Sequence, residues 1–101
     1  MKTCYTLRID PTNIAIADLV KPGELTRDWT ITRINVPRGH RGRGIGRALL
    51  REILAQADYE GVRLQLEVAP SDGLNYEQLV AWYDRYGFRF NGYGYMTRKP
   101  Q

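Results

Sequence analysis

The sequence has one cysteine, one histidine and no long apolar run, and each scarcity excludes a class of protein. Cys4 alone cannot form an internal disulfide, which favours a reducing compartment. No apolar stretch approaches the roughly 18 residues of a membrane-spanning helix, and the segment after Met1 lacks the apolar core of a secretory signal. One histidine and one cysteine make no metal cluster. We therefore expect a cytoplasmic protein without membrane association or bound metal.

The length and composition are those of a small globular protein. The chain has 101 residues, of which 43% are hydrophobic and 26% are charged. Chains of about 100–150 residues commonly form one domain, and we find no repeat, linker or low-complexity segment. Residues 1–101 are therefore predicted to form a single domain. Because so short a chain has little room for an enclosed site, we expect any chemistry in an open groove or at an interface.

The positive charge is concentrated in one segment. The chain has 15 lysines and arginines against 11 acidic residues, a formal net charge of +4. Six arginines lie in a stretch without acidic residues, namely Arg33, Arg38, Arg41, Arg43, Arg47 and Arg51. The remainder has nine basic and 11 acidic residues, a balance of −2. This uneven distribution favours a compact anionic ligand, with nucleic acid as the alternative.

Apolar periodicity predicts a mixed α/β (α+β) fold. The predicted elements are strands over 4–9, 14–20, 29–36 and 62–68, a helix from 45 that ends at the glycine at 61, and a helix over 76–86. The strand, helix and strand within 29–68 form a βαβ unit, so these two strands should be parallel. The segment 88–98 is predicted as a hairpin with its turn at Asn91-Gly92. We expect a twisted mixed sheet with antiparallel N-terminal strands, one parallel pair and a C-terminal hairpin.

The strand over 29–36 contains an irregularity. Trp29 and Ile31 share one face of a strand of period two, whereas Ile34 and Val36 share the other. This change of phase predicts a β-bulge near Thr32-Arg33, which would splay the parallel pair. Bulges are common beside active sites, so this position is a candidate for function.

A glycine-rich loop over 37–46 joins that strand to the first helix. A helix start presents backbone N–H groups and a positive dipole end, and glycines let a phosphate approach closely. A Rossmann fingerprint starting at Gly42 would need a glycine where Arg47 stands. A Walker loop would need Gly-Lys-Ser/Thr, but arginine follows Gly46. The pattern that remains is Arg41-x-x-Gly44-x-Gly46.

That pattern resembles the acyl-CoA signature Arg/Gln-x-x-Gly-x-Gly/Ala of the GCN5-related N-acetyltransferase (GNAT) superfamily. The segment 79–88 is similar to the family's second signature, a helix with a tyrosine, here Tyr83, four residues before Gly-Phe. The resemblance covers roughly residues 29–98 in the family's order. The chain departs from the family near its start, where the turn Asp10-Pro11-Thr12-Asn13 replaces two helices that the family usually has.

The resemblance implies transfer of an acetyl group from acetyl-CoA to a primary amine, by direct attack of the neutral amine on the thioester. The loop from Arg41 to Arg47 would hold the pyrophosphate, and backbone N–H near Val36 would stabilise the oxyanion. Tyr83 is the implied acid for the departing thiolate, and Glu67 is a candidate base. The implied cofactor-binding residues are Ile34, Val36, Arg41, Gly42, Arg43, Gly44, Ile45, Gly46, Arg47 and Asn75.

Each candidate also has a simpler interpretation. Tyr83 fits the core-facing side of a helix, and Glu67 fits a solvated carboxylate on an alternating strand. Asn75 with Gln78 matches a helix-capping box. His40, beside the loop, is expected to contact the loop or a phosphate rather than to catalyse. The competing function is a non-catalytic module that binds a nucleotide or nucleic acid through the Arg/Gly loop.

The missing helices should leave the acceptor end of the cleft shallow and open. Such a cleft cannot surround a small molecule, but it can admit a lysine side chain that is held through the rest of a protein surface. The candidate acidic residues of the rim, which would favour a cationic acceptor, are Glu24, Asp28, Glu67 and Asp72. We therefore expect a protein lysine as the acceptor, and the sequence leaves a homodimer open.

Overall fold

A computed structural model of the chain describes residues 2–21, 28–37, 39–40, 44–69, 74–91 and 95–101. Within these residues the chain forms β1 (Lys2–Asp10), β2 (Asn13–Val20), β3 (Trp29–Asn35), α1 (Ile45–Glu60), β4 (Leu64–Glu67), α2 (Tyr76–Asp84), β5 (Arg89–Phe90) and β6 (Tyr95–Arg98). The predicted mixed α/β fold is confirmed. None of the described helices has the length and apolar character needed to cross a membrane.

The strands form one mixed sheet in the order β1-β2-β3-β4-β6-β5. β3 and β4 are parallel and α1 connects them, which confirms the βαβ unit, while the other described pairs are antiparallel. The main core lies between α1 and one face of the sheet, where Leu50 and Ile53 of the helix and Ala17 and Leu19 of β2 are fully buried. This core holds β3 and β4 in place for the site described below.

The predicted bulge in β3 is present. Asp18 of β2 pairs with Arg33, but the next residue, Leu19, pairs with Ile31, so Thr32 is the extra residue of β3. An extra residue bends its strand and increases the local twist. The change of phase in the sequence therefore has the predicted cause.

β3 and β4 are paired at one end and separate at the other. Their parallel ladder runs from Trp29 and Leu64 to Ile31 and Leu66, and the described residues contain no further pair between the two strands. We call the paired side of this ladder the closed end and the side beyond Ile31 and Leu66 the open end. The bulge at Thr32 lies where the open end begins, so the bent strand leaves its neighbour there.

Two arginine–aspartate pairs stabilise the closed end. The buried Arg98 on β6 donates to both carboxylate oxygens of Asp58 on α1, at 2.8 and 3.1 Å, and to the carbonyl of Tyr86 at 2.8 Å. The hydrogen bonds from Arg98 hold the pKa of Asp58 below its usual range. Arg63 donates to Asp28 at 2.8 Å on the same side of the ladder. These pairs tie α1, β3, β4 and β6 together.

The hairpin at the C-terminus differs from the prediction at its turn. Phe90 pairs with Met96, and the N–H of Asn91 donates to the carbonyl of Tyr95 at 3.0 Å. A two-residue turn at Asn91-Gly92 would pair Phe90 with residue 93, so that prediction was wrong. The reason is that β6 also pairs with β4, where Leu66 lies beside the buried Met96, and this pairing sets the register. Residues 92–94 themselves lie outside the described residues.

Candidate active site

A cavity of about 360 Å³ lies between the last residues of β3, the start of α1 and one side of α2. The predicted cofactor-binding residues that line it are Ile34, Val36, Gly44, Ile45, Gly46 and Arg47. The structure therefore brings together every described residue of the predicted set except Asn75. Arg41, Gly42 and Arg43 belong to the same prediction and lie outside the described residues.

Two glycines shape the wall of this cavity, the larger of the two described here, at the start of α1. Gly44, the N-cap, has φ +79°, a left-handed conformation that favours glycine. A Cβ on Gly46 would lie 3.5 Å from the Cγ2 atom of Val36 and 4.0 Å from that of Ile34. The first turn of α1 contains no acidic residue, so its N–H groups and the exposed Arg47 present positive charge. This end of the cavity suits an anionic group such as a phosphate.

A second cavity, of about 230 Å³, occupies the open end between the separated strands. Residues 31–35 of β3 form one wall, and Leu66 and Glu67 of β4 with Ala69 form the other. Tyr83 and Ile34 line both this smaller cavity and the larger one. The two predicted catalytic residues therefore lie at one place, with Tyr83 at the junction of the cavities and Glu67 in the smaller one.

The position of Tyr83 follows from packing at the end of α2. Its ring makes edge contacts with Trp82 and Phe88, at centroid distances of 5.0 and 5.6 Å, and Phe88 is fully buried. The carbonyl of Tyr83 accepts hydrogen bonds from the N–H groups of Tyr86 and Phe88. Gly87, with φ +95°, allows the reversal that brings Phe88 back under the tyrosine. The Tyr-x-x-x-Gly-Phe pattern thus fixes the tyrosine at the junction.

His40 lies in the larger cavity beside the turn between β1 and β2. Its Nε2 atom is 3.7 Å from a carboxylate oxygen of Asp10, and its Nδ1 atom is buried without a hydrogen-bond partner in the described part of the chain. Asp10 accepts hydrogen bonds from Asn13 and Thr12, which lower its pKa to about 2. A buried polar atom without a partner is unfavourable, so the site suits a ligand that offers one.

Two predicted site residues lie elsewhere. Asn75 lines neither cavity, and its side chain accepts from the N–H of Gln78 in the predicted capping box. Asp28, predicted as part of the acceptor rim, lies at the closed end in its pair with Arg63 and lines neither cavity, so that prediction was wrong. Asp28 directly precedes β3, at the end of the strand opposite to the bulge. Glu24 and Asp72 lie outside the described residues.

One side of α2 faces the larger cavity, and of its residues only Tyr83 was predicted to belong to the site. Leu79, Trp82, Arg85 and Tyr86 line this cavity with Tyr83. Their helical spacing around Tyr83 was the available signal, because residues three and four apart share a helix face. Within the described residues, no group of three or more His, Cys, Asp and Glu side chains is arranged to hold a metal ion.

Comparison with known families identifies the class of protein. The sequence profile of the acetyltransferase (GNAT) domain matches residues 2–90. The chain therefore belongs to the GNAT acetyltransferase family. It is an acetyl-CoA-dependent N-acetyltransferase by that membership. A search of curated protein sequences gives no significant match.

Solved structures share the fold. A protein from Desulfovibrio desulfuricans assigned to the GNAT acetyltransferases has a TM-score of 0.77 at 18% identity, over 99% of this chain and 69% of its own. The PaiA N-acetyltransferase of Thermoplasma acidophilum, solved in complex with coenzyme A, has a TM-score of 0.72 at 18% identity, over 97% of this chain and 60% of its own. The anti-CRISPR protein AcrVA5 has a TM-score of 0.64 at 18% identity, over 93% of this chain and 96% of its own. The fold of this chain thus occurs both in a chain of similar length and in longer chains.

Proposed function

We propose that this protein transfers an acetyl group from acetyl-CoA to the side-chain amine of a protein lysine by direct attack on the thioester. The observation that carries the proposal is the position of Tyr83 at the junction of two cavities. One cavity begins at a helix start suited to phosphate, and the other opens to solvent between separated strands. Two substrates that enter from these two sides would meet beside the tyrosine hydroxyl.

In this proposal the larger cavity holds the cofactor. The N–H groups at the start of α1, with Arg47, bind the pyrophosphate, and the glycines let it approach. Arg41, Gly42 and Arg43 contribute from the loop. The buried Nδ1 atom of His40 donates to a phosphate oxygen when it carries a proton. The apolar side chains of Ile34 and Val36 flank the arm that carries the thioester.

The acceptor enters the smaller cavity as an ammonium ion that must lose a proton. A lysine amine has a pKa near 10.4, so about one molecule in several thousand is neutral at pH 7. Among the described residues Glu67 is the acidic one that lines this cavity, and we assign it as the proton acceptor, directly or through water. Its position on β4, across the open end from β3, places the carboxylate beside an entering amine.

The transfer then proceeds by one addition and one elimination. The neutral amine attacks the thioester carbon, and the N–C bond forms while backbone N–H near Val36 stabilises the oxyanion. The C–S bond breaks, and the thiolate takes the proton of the Tyr83 hydroxyl. The nitrogen passes its second proton to the Tyr83 phenolate, directly or through water, and Glu67 releases the first proton to solvent, which restores both side chains. The products are an acetylated lysine and coenzyme A.

The small volume of the second cavity supports a lysine on a protein over a free small amine. The cavity is bounded by β3, β4 and Tyr83 of α2, and its volume of about 230 Å³ is below the roughly 300–1,000 Å³ of small-molecule pockets. A small ligand needs most of its surface buried for useful affinity, whereas a lysine side chain draws binding energy from contacts outside the cavity. We also propose a cytoplasmic location, because a reducing compartment suits the exposed thiol of Cys4.

The test is turnover of acetyl-CoA against a panel of lysine peptides, folded proteins and free amines. We expect release of free thiol that depends on the acceptor, and a gain of one acetyl group on a lysine by mass spectrometry. Acetylation of free amines without activity on any peptide or protein would contradict the lysine assignment and leave N-acetyl transfer intact. Binding of an oligonucleotide, lost at high salt, with no binding of CoA would favour the nucleic-acid alternative.

A further inference from the structure

A buried carboxylate holds an arginine in the wall of the smaller cavity. Asp18 of β2 is only 4% exposed and lies on the face of the sheet opposite α1, since its neighbours Ala17 and Leu19 face the core. Arg33 of β3, its cross-strand partner, donates from Nε at 3.0 Å and from Nη2 at 2.8 Å to the Oδ2 atom of Asp18. The Arg33 side chain nevertheless remains 54% exposed. The guanidinium is therefore fixed on one edge and accessible on another.

The bulge in β3 places Arg33 opposite Asp18. Because Thr32 is the extra residue, Arg33 rather than Thr32 lies opposite Asp18. Arg33 lines the smaller cavity on the β3 side, and Glu67 lines it on the β4 side. The cavity thus presents a fixed positive group and a negative group on its two opposite walls.

We propose that Arg33 binds a carboxylate close to the acceptor lysine, so that the preferred acceptor is a lysine with an acidic residue next to it in its chain. This inference rests on the proposed function and specifies its substrate. The guanidinium matches a carboxylate in geometry and charge, and it makes charge-assisted hydrogen bonds to one. Asp18 is a positioning residue, because it holds the guanidinium at the cavity wall before the acceptor arrives.

The two walls also orient the acceptor. Glu67 attracts the lysine ammonium and repels a carboxylate, whereas Arg33 does the reverse. A lysine flanked by an acidic residue satisfies both walls, with its amine toward Glu67 and Tyr83. A lysine flanked by a basic residue places like charges together at Arg33.

The alternative explanation is that Arg33 only neutralises the buried Asp18, and the closed end offers a matched control. Arg63 donates from Nη2 to the Oδ2 atom of Asp28 at the same 2.8 Å, and its side chain is 50% exposed. Arg63 lines neither cavity. Replacing Arg63 removes one half-exposed, ion-paired arginine and leaves the walls of the smaller cavity unchanged.

The experiment compares kcat/KM on three peptides that carry one lysine flanked by glutamate, glutamine or arginine. At low salt we expect the glutamate peptide to be preferred over the glutamine peptide by about two- to fivefold, the range for a partly exposed charge pair. Arg33→Gln should bring this ratio close to one, and Arg33→Glu should shift the preference toward the arginine peptide. Arg63→Gln should keep the wild-type ratio. The preference should also weaken as salt is raised.

Loss of Arg33 removes a charged partner of a buried carboxylate and so threatens folding. The double variant Asp18→Asn/Arg33→Gln removes both charges and keeps the test valid if Arg33→Gln unfolds. Equal flank preferences in wild type, the Arg33 variants and Arg63→Gln would overturn the inference, as would acetylation of no lysine peptide at all. If the peptides are acetylated but the glutamate-to-glutamine ratio is the same in Arg33→Gln as in wild type, Arg33 has no role in recognition. The proposed function would then still stand.

Discussion

The two ends of the β3–β4 pair use the same residue types for different purposes. At the closed end, Arg98 is only 7% exposed and directs its donors to Asp58 and to a backbone carbonyl, so the arginine holds the structure together. At the open end the exposure is reversed, because Asp18 is buried and Arg33 remains accessible at a cavity wall. A buried arginine in such a pair serves the fold, whereas an accessible one is available to a ligand only where it lines a cavity, as Arg33 does and Arg63 does not.

The same contrast appears in the packing of β3. Trp29 and Ile31, before the bulge, are 5% exposed and paired with β4. Ile34, after the bulge, is half-buried and lines both cavities. One extra residue at Thr32 separates a part of the strand that supports the fold from a part that forms the site. Changes at the open end should therefore affect binding and turnover, and changes at the closed end should affect stability.

The largest expected effect is at Gly46, on the wall of the larger cavity next to the open end. A leucine there would place its side chain between α1 and β3, where a Cβ alone already contacts Val36 at 3.5 Å. We expect Gly46→Leu to weaken CoA binding by about 100-fold or more, a loss of about 2.7 kcal/mol, measured by calorimetry. Gly46→Ala, whose Cβ makes an ordinary contact, is the matched control and should bind CoA within a few-fold of wild type. Normal CoA binding by a folded Gly46→Leu variant would show that the larger cavity is not the cofactor site.

The next effect is at Tyr83, where the two cavities meet. Tyr83→Phe keeps the ring contacts with Trp82 and Phe88 and removes only the hydroxyl. Loss of a general acid should lower kcat by roughly 10- to 1,000-fold while CoA affinity and melting temperature change little. Tyr59→Phe, on an 88% exposed residue of α1, controls for loss of a tyrosine hydroxyl in general. An unchanged kcat would return Tyr83 to a packing role.

At the closed end the expected effect is on stability alone. Arg98→Met keeps an unbranched apolar stem against Gly87 but removes the hydrogen bonds to Asp58 and to the carbonyl of Tyr86. Hydrogen bonds of charged groups are each worth about 1.5–3 kcal/mol, so we expect unfolding to become easier by about 2–3 kcal/mol in urea titration. Lys99→Met, at an exposed neighbouring position, is the control. A variant of normal stability that fails to bind CoA would contradict the separation between the two ends.

The smallest effect is the acid response of the same pair. Arg98 lowers the pKa of Asp58 in the folded protein, so the pair stabilises the fold above the unfolded pKa of about 4. That contribution is lost as the pH falls from about 4 through the lowered folded pKa. Asp58→Asn should therefore be less stable than wild type at pH 7 and should lose less stability on acidification. If the free energy of unfolding depends on pH in the same way for the two proteins between pH 6 and pH 2, this pair does not stabilise the closed end as assigned.

The sequence predicted the order of elements and the place of the bulge because both depend on local periodicity. The change of phase between Ile31 and Ile34 is visible without any partner strand, and so is the face of α2 that carries Tyr83. The turn at Asn91-Gly92 was wrong because the pairing of β6 with β4, which is distant in sequence, sets that register. Asp28 was misplaced for the same kind of reason, since only the fold shows at which end of β3 an acidic residue lies. The pair of Asp18 with Arg33 depends on a bulge that shifts the register by one residue, so composition alone could not assign it.

The most direct test of the central claim is an initial-rate study in which acetyl-CoA and a lysine peptide are varied together. In the proposed mechanism the two cavities that meet at Tyr83 hold both substrates at once, and the amine attacks the thioester directly. Double-reciprocal plots should therefore intersect, and mass spectrometry of the protein after incubation with acetyl-CoA alone should show no covalent acetyl group. Parallel lines, together with an acetylated protein that passes its acetyl group to the peptide, would contradict direct transfer at the junction of the two cavities.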